Sequence, residues 1–118
     1  MAATRGTHGW RKASQILGPS GTDQIGLNSI SCGGVGSCVA AGAIFTSNGT
    51  VPVVATATGG HWGRAAKVPL PANVMRGAEG DSVFTGVSCL ARNACTAAGW
   101  YVDSSDNLQA MVSSRPAG

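Results

Sequence analysis

Apolar and polar positions alternate along this chain in short runs separated by polar or Gly-containing turns. No window keeps the 3.6-residue apolar spacing of an amphipathic helix without Gly, Pro or a cluster of β-branched residues. The pattern therefore predicts short strands joined by Gly-rich turns. The predicted strands cover about 10–17, 27–32, 38–46 and 51–57, and then about 62–68, 83–89, 95–103 and 108–114.

These strands form two copies of one unit, because a cysteine motif occurs twice. Residues 30–42 and 87–99 both read Ile/Val-Ser-Cys-x5-Cys-x-Ala-Ala-Gly, 57 positions apart (89 − 32 and 95 − 38). A repeat at a fixed spacing identifies the structural unit. We predict one unit over 1–60, from the Trp10 strand to Thr58, and a second over 61–118, from the Trp62 strand to Arg115.

Each predicted unit contains four antiparallel strands, since the Trp10 and Trp62 segments also match at a spacing of 52 (62 − 10). The difference between the two spacings predicts loops of variable length at 18–26 and 69–81, which are rich in Gly, Pro and Asp. Repeated four-stranded units of this length are typical of β-propeller blades. A β-sandwich or a β-trefoil-like array is the alternative all-β fold.

All four cysteines belong to the repeated motif. Their Cys-x5-Cys spacing is wider than that of a zinc knuckle. A five-residue loop can bring the two ends of a hairpin to disulfide distance. We therefore expect Cys32–Cys38 and Cys89–Cys95 disulfides, with a metal site and free buried thiols as the alternatives. Disulfides indicate an oxidising, extracellular location.

The motif resembles the tandem cysteine-pair repeats of secreted actinobacterial proteins, which are propeller-like arrays. The residues that carry the resemblance are Leu27, Ile30, Ser31, Cys32, Cys38, Ala40, Gly42 and Trp62, and then Phe84, Val87, Ser88, Cys89, Cys95, Ala97 and Gly99. The resemblance implies an exported, disulfide-bonded repeat protein that contributes no catalytic residues. Because only two units are present, we expect self-association into a closed ring or membership of a longer parent array.

Charge and hydropathy predict neither a nucleic-acid partner nor a membrane span. The net charge of +3 comes from eight basic and five acidic residues. Apart from the adjacent Arg11 and Lys12 the charges are scattered singly, whereas nucleic-acid binders gather basic residues into a patch, so no nucleic-acid partner is predicted. No apolar run approaches the ~20 residues of a membrane span. The N-terminus lacks the apolar segment of a signal peptide, so an export signal is expected outside this chain.

The sequence offers little catalytic chemistry. Ser31 and Ser88 lack a Gly-x-Ser-x-Gly elbow, and His8 and His61 have no Asp or Glu within five residues. Asp103 and Asp106 lie in an oxygen-rich turn, but the matching turn of the first unit has no carboxylate. We therefore predict no catalytic residue, no cofactor and no metal site.

The aromatic residues are the candidates for binding. Trp10 and Trp62 repeat, which favours a role in sealing the units, whereas Trp100 and Tyr101 have no counterpart in the first unit. Neighbouring strand residues point to opposite faces, so one of Trp100 and Tyr101 is expected to be exposed or at an interface. The candidate binding residues are Trp100, Tyr101, Trp62 and Arg64.

Together these features predict a non-enzymatic extracellular repeat or binding module, a pair of propeller blades with hairpin disulfides. The alternatives are a small lectin-like carbohydrate-binding domain, with its site between the blades, and a fragment of a secreted hydrolase whose catalytic parts come from loops.

Overall fold

The computed structural model describes residues 5–6, 9–10, 12–20, 24–47, 49–75 and 81–115. The regular secondary structure of these residues is β-strand. These residues contain no helix, and so none that is long and apolar enough to cross a membrane. The ten strands are β1 (Arg5–Gly6), β2 (Gly9–Trp10), β3 (Gln24–Gly34), β4 (Ser37–Thr46), β5 (Gly49–Thr58), β6 (His61–Trp62), β7 (Ala66–Lys67), β8 (Ser82–Ala91), β9 (Ala94–Val102) and β10 (Leu108–Arg115).

The strands form two larger antiparallel sheets and one small hairpin. The first sheet has the order β3-β4-β5-β6, with β7 also paired to β5, and the second has the order β8-β9-β10. The small hairpin β1-β2 pairs Arg5 with Trp10, just as β5-β6 pairs Ala57 with Trp62. The all-β prediction is confirmed, and the two sheets do not close a ring within the described part of the chain.

The six long strands confirm the strand predictions around the cysteines, but the Trp-led segments differ from the predictions. The segment at 62–68 forms only β6 and β7. Of the strand predicted over 10–17, residues 12–17 form no strand and contain one isolated bridge residue, Ser14. Residues 12–20 instead lie against the first sheet, where Leu17 O accepts a hydrogen bond from Ala65 N (2.7 Å). Because β6 pairs with β5, the predicted unit boundary after residue 60 falls inside the first sheet.

The two sheets share the same meander and the same irregularities. Register shifts occur between Leu27 and Ser29 in β3 and between Phe84 and Gly86 in β8, which are matching positions 57 apart (84 − 27). The correspondence changes after the second hairpin turn. Ala41 pairs with Val54, whereas its counterpart Ala98 pairs with Val112, so later positions match at a spacing of 58 (112 − 54). The second hairpin turn is therefore one residue longer in the second sheet than in the first, so the 57-residue spacing of the cysteine motif does not continue beyond it.

The core forms on both faces of the first sheet. On one face, Ile44, Val53 and Ala55 pack with Ile16 from the 12–20 segment. On the other face, Ala41 packs with Phe84 and Ala97 of the second sheet. Ala41 is fully buried, and its small side chain lets the large Phe84 ring approach the sheet closely. The first sheet is thus the middle layer of three.

Both predicted disulfides are present. Cys32 bonds to Cys38 and Cys89 to Cys95, with Cα atoms 3.9 and 4.0 Å apart. Each pair lies directly opposite in register at the end of its hairpin. The disulfides therefore close the hairpins β3-β4 and β8-β9 locally and do not link the two sheets.

Candidate functional site

The edge strands β3 and β8 are joined by side-chain hydrogen bonds from one to the backbone of the other. Ser29 Oγ accepts a hydrogen bond from Val87 N (3.2 Å), and Ser31 Oγ accepts one from Cys89 N (2.9 Å). Asn28 Nδ2 donates to the carbonyl oxygen of Phe84 (2.8 Å). Edge strands leave backbone groups unpaired, and these three side chains of β3 satisfy groups of that kind in β8.

A reciprocal pair of hydrogen bonds links the first sheet to the start of β8. Asp81 Oδ1 accepts a hydrogen bond from Thr50 N (3.0 Å), and Thr50 Oγ1 accepts one from Ser82 N (3.0 Å). The Thr50 side chain therefore satisfies a backbone donor of β8, and the Asp81 side chain, directly before β8, satisfies a backbone donor of β5. This link fixes Asp81 beside β5, although the two partners are 31 residues apart in sequence.

Trp100 lies in a groove of about 240 Å³ where these strands meet. The groove is lined by Gly26, Asn28, Ala43, Phe45, Thr50, Asp81, Val83 and Trp100. Phe45 is half exposed, and Asp81 contributes a carboxylate to the wall. Aromatic rings beside a few polar groups are typical of small-ligand sites.

The four predicted binding residues do not share one site. Tyr101 points away from Trp100, is buried, and donates its hydroxyl hydrogen to Asn73 Oδ1 (2.8 Å). Trp62 packs against the core cluster of Ile16 and lines a different groove from Trp100. Arg64 Nη1 donates to the carbonyl oxygen of Gly18 (2.7 Å), which ties the 12–20 segment to the first sheet. Of the four, Trp100 is the one that lines the groove between the sheets.

The second groove lies beside the first disulfide and has a volume of about 670 Å³. It is lined by Ile30, Cys32, Gly33, Gly34, Val35, Gly36, Cys38, Ala57, Gly60 and Trp62. The Ile30 side chain is 51% exposed there. The wall is mostly apolar and carries no acidic or basic side chain.

The oxygen-rich turn after β9 uses its carboxylate to hold its own backbone. Asp103 Oδ1 accepts hydrogen bonds from Ser105 N (2.9 Å) and Asn107 N (3.0 Å), and Oδ2 accepts one from Gln109 Nε2 (2.8 Å). The bond from Asn107, followed by that from Gln109, lowers the pKa of Asp103 below its ordinary value. The carboxylate therefore stabilises the longer turn.

Of the residues weighed for catalysis, Ser31 is half-buried, whereas His61 and Ser88 are exposed. His61 is exposed at the end of the first sheet, and His8 and the Trp10 side chain lie outside the described residues. No group of three His, Cys, Asp or Glu side chains able to hold a metal ion occurs in the described residues. Ser88, the counterpart of Ser31, is exposed on β8.

Comparisons of the chain with models of protein families, with curated proteins and with solved structures return no match. Function is therefore inferred from the contact between the sheets, from the Trp100 groove and from the groove beside the first disulfide. Sequence reasoning missed Phe45 and Asp81, because nothing in the local pattern relates either residue to Trp100.

Proposed function

We propose that this chain is a non-enzymatic extracellular module made of two propeller-blade-like units, with a structural and binding role. The observation that carries the proposal is the contact between the equivalent edge strands β3 and β8. Propellers arrange four-stranded sheets radially, so equivalent strands of neighbouring blades lie side by side. Here Ser29 and Ser31 of β3 accept hydrogen bonds from β8, which supports the proposal that the two units are neighbouring blades.

The use of the polar groups supports a role without catalysis. Ser31 holds the neighbouring strand, Asp81 holds Thr50, and Asp103 holds its own turn. A nucleophile or general base must be available to a substrate, whereas these groups are engaged by the backbone. The hydrolase alternative has correspondingly less support.

The two disulfides support an extracellular location. Disulfides persist in oxidising compartments and are rare where glutathione and thioredoxin keep thiols reduced. The described residues contain no free cysteine. A module that remains folded outside the cell gains from such local covalent links.

The edge contact is tested by a matched pair of serine variants at the same position of the two units. Ser31→Ala removes the acceptor for Cys89 N, and the free energy of unfolding should fall by about 1–2 kcal/mol because a partly buried donor is left unpaired. Ser88→Ala changes the exposed counterpart and should alter it by less than about 0.5 kcal/mol. Urea denaturation of dilute protein measures both values. Equal effects of the two changes would contradict the proposed contact.

A lectin-like function is the second candidate, and the Trp100 groove favours it. Sugar rings stack on aromatic side chains, and their hydroxyls bond to carboxylates and amides. Trp100 and Phe45 supply rings in the groove, while Asp81 and Asn28 supply polar groups.

A glycan array tests this second candidate, followed by calorimetry on any sugar that binds. Trp100→Ala should abolish binding, whereas Leu90→Ala, at an apolar side chain that is 94% exposed outside the groove, should leave it unchanged. An array without bound sugars, or binding that survives Trp100→Ala, would exclude this groove as the site.

A further inference from the structure

The second sheet exposes the face that the first sheet buries. Ala41 is fully buried, but its counterpart Ala98 is exposed, and Val54 is half-buried where Val112 is 73% exposed. Five matched pairs show the same contrast: Val39 and Thr96, Ala41 and Ala98, Pro52 and Ala110, Val54 and Val112, and Thr56 and Ser114. The backbone arrangement is equivalent, so the difference is the presence of a neighbouring sheet.

The first sheet shows what that face accepts. Its Ala41 packs against Phe84 and Ala97, and Val87 packs at the margin of the same cluster. These three residues lie on the disulfide-bearing face of the second sheet, where Cys95 is 7% exposed. The chain therefore already contains one interface of this kind, in which the Ala41 face of the first sheet packs on the disulfide face of the second sheet.

The matching disulfide face of the first sheet is only partly covered. Ile16, which lies 52 positions before Val68 (68 − 16), packs on the first sheet as Val68 packs on the second. Beyond Ile16 the face is open, because Ile30 is 51% exposed whereas its counterpart Val87 is half-buried. The open part is the groove beside the Cys32–Cys38 disulfide.

We propose that two copies of this chain associate head to tail. The exposed face of one copy's second sheet, defined by Thr96, Ala98, Ala110, Val112 and Ser114, covers the groove beside the Cys32–Cys38 disulfide of the other copy. This inference rests on the proposed function, because it repeats between two chains the contact that joins the two units. Within the pair, the Ser88 hydroxyl accepts a hydrogen bond from Cys32 N of the second copy, as Ser31 does from Cys89 N within one chain.

The composition of the exposed face makes this association weaker than the contact within the chain. Thr96 takes the place of Val39, and its hydroxyl bonds to that of Ser114 (3.1 Å). These hydroxyls reduce the gain from burial, so association should depend on protein concentration. Because the two surfaces differ, the contact is heterologous and continues into rings or filaments as the concentration rises.

Sedimentation velocity over a range of concentrations tests the proposal. The unaltered chain should show a rising average mass. Val112→Glu and Ile30→Glu, which each place a charge on one of the two surfaces, should weaken association by more than about tenfold. Ala72→Glu makes the same change of charge at an exposed position on neither surface and should associate like the unaltered chain. Val112→Lys serves as a second variant if Val112→Glu does not fold.

Mixing the two blocked variants separates head-to-tail association from a symmetric contact. Val112→Glu keeps an intact groove and Ile30→Glu keeps an intact second sheet, so the mixture should form dimers of one copy each and nothing larger. A chain that stays monomeric at its highest soluble concentration, or a mixture without such dimers, would overturn the proposal. Neither result affects the Ser31 and Ser88 comparison, so failure of this inference is distinguishable from failure of the proposed function.

Discussion

The close approach of β8 to β9 depends on a glycine, and replacing that glycine tests the packing of the second sheet. A Cβ atom added to Gly99 would overlap Val83 O and lie 2.8 Å from Phe84 Cα. The same is true of Gly42, whose added Cβ would overlap Gly26 O and lie 2.8 Å from Leu27 Cα. In both cases the overlapping atoms belong to the backbone, so a change of side-chain rotamer cannot relieve the overlap.

The size of the effect follows from the shift that relieves the overlap. Ordinary van der Waals contact begins at 3.4 Å, so β8 must move by at least about 0.6 Å (3.4 − 2.8) near Phe84. Phe84 is 1% exposed and lies in the cluster that joins the two sheets. Overpacking of this kind destabilises a fold by about 1–3 kcal/mol. Alanine also lowers the conformational entropy of the unfolded chain, which offsets about 0.4–1 kcal/mol of that loss. Because the overlap with Val83 O is larger than that with Phe84 Cα, we expect the upper part of the resulting range. Gly99→Ala should destabilise the fold by about 2 kcal/mol, and Gly99→Val by more.

Gly86 provides the control, because it lies on β8 and an added Cβ meets no atom within 4 Å. Gly86→Ala should be neutral or stabilise the chain by up to about 1 kcal/mol. Urea denaturation midpoints at unchanged m-value give both numbers. If Gly99→Ala and Gly86→Ala unfold at the same urea concentration, the close approach of the two strands does not constrain residue 99.

Three further changes test other parts of the fold by urea denaturation. Replacing Cys89 and Cys95 by alanine should cost about 2 kcal/mol, as expected for a short closed loop, and no loss would contradict this estimate. Because the folded pKa of Asp103 lies below its ordinary 3.8, its contribution is present above pH 3.8 and is lost as the pH falls through the folded value. Asp103→Asn should reduce this loss of unfolding free energy at acid pH, whereas Asp106→Asn should leave it unchanged. Tyr101→Phe should cost about 1 kcal/mol by removing a buried hydrogen bond, and an unchanged midpoint would contradict this role.

The sequence predicts the hairpins well, because their information is local. Alternation of apolar residues, the turn residues and the cysteine spacing all lie within one hairpin, and the repeat supplies each of them twice. The sequence predicts a strand over 10–17, but residues 12–20 form none, and the Leu17 carbonyl bonds to Ala65 N, which is 48 residues away in sequence (65 − 17). The link between Asp81 and Thr50 had no local signal either, because its partners come from separate sheets.

The local sequence pattern also does not predict which face of a sheet is buried, and a comparison of the two units shows why. Ala41 and Ala98 occupy the same place in the same motif, yet one is fully buried and the other exposed. Period-two alternation identifies the two faces of a strand, but the neighbouring layer decides which face loses its contact with water.

The residues that differ between the two units of the chain indicate which face is buried, whereas the common motif does not. At the buried face the first unit has Val39, and at the exposed face the second has Thr96. Thr has nearly the shape of Val, but its hydroxyl favours contact with water, so the change from Val to Thr lowers the cost of exposure. A partner would meet a surface of similar shape that carries a hydroxyl in place of a methyl group. Val112 remains a valine like Val54, and it is 73% exposed. A face that keeps its shape and part of its apolar surface while gaining one hydroxyl group, at Thr96, suits a contact that forms and separates, which is the behaviour expected of the head-to-tail pair.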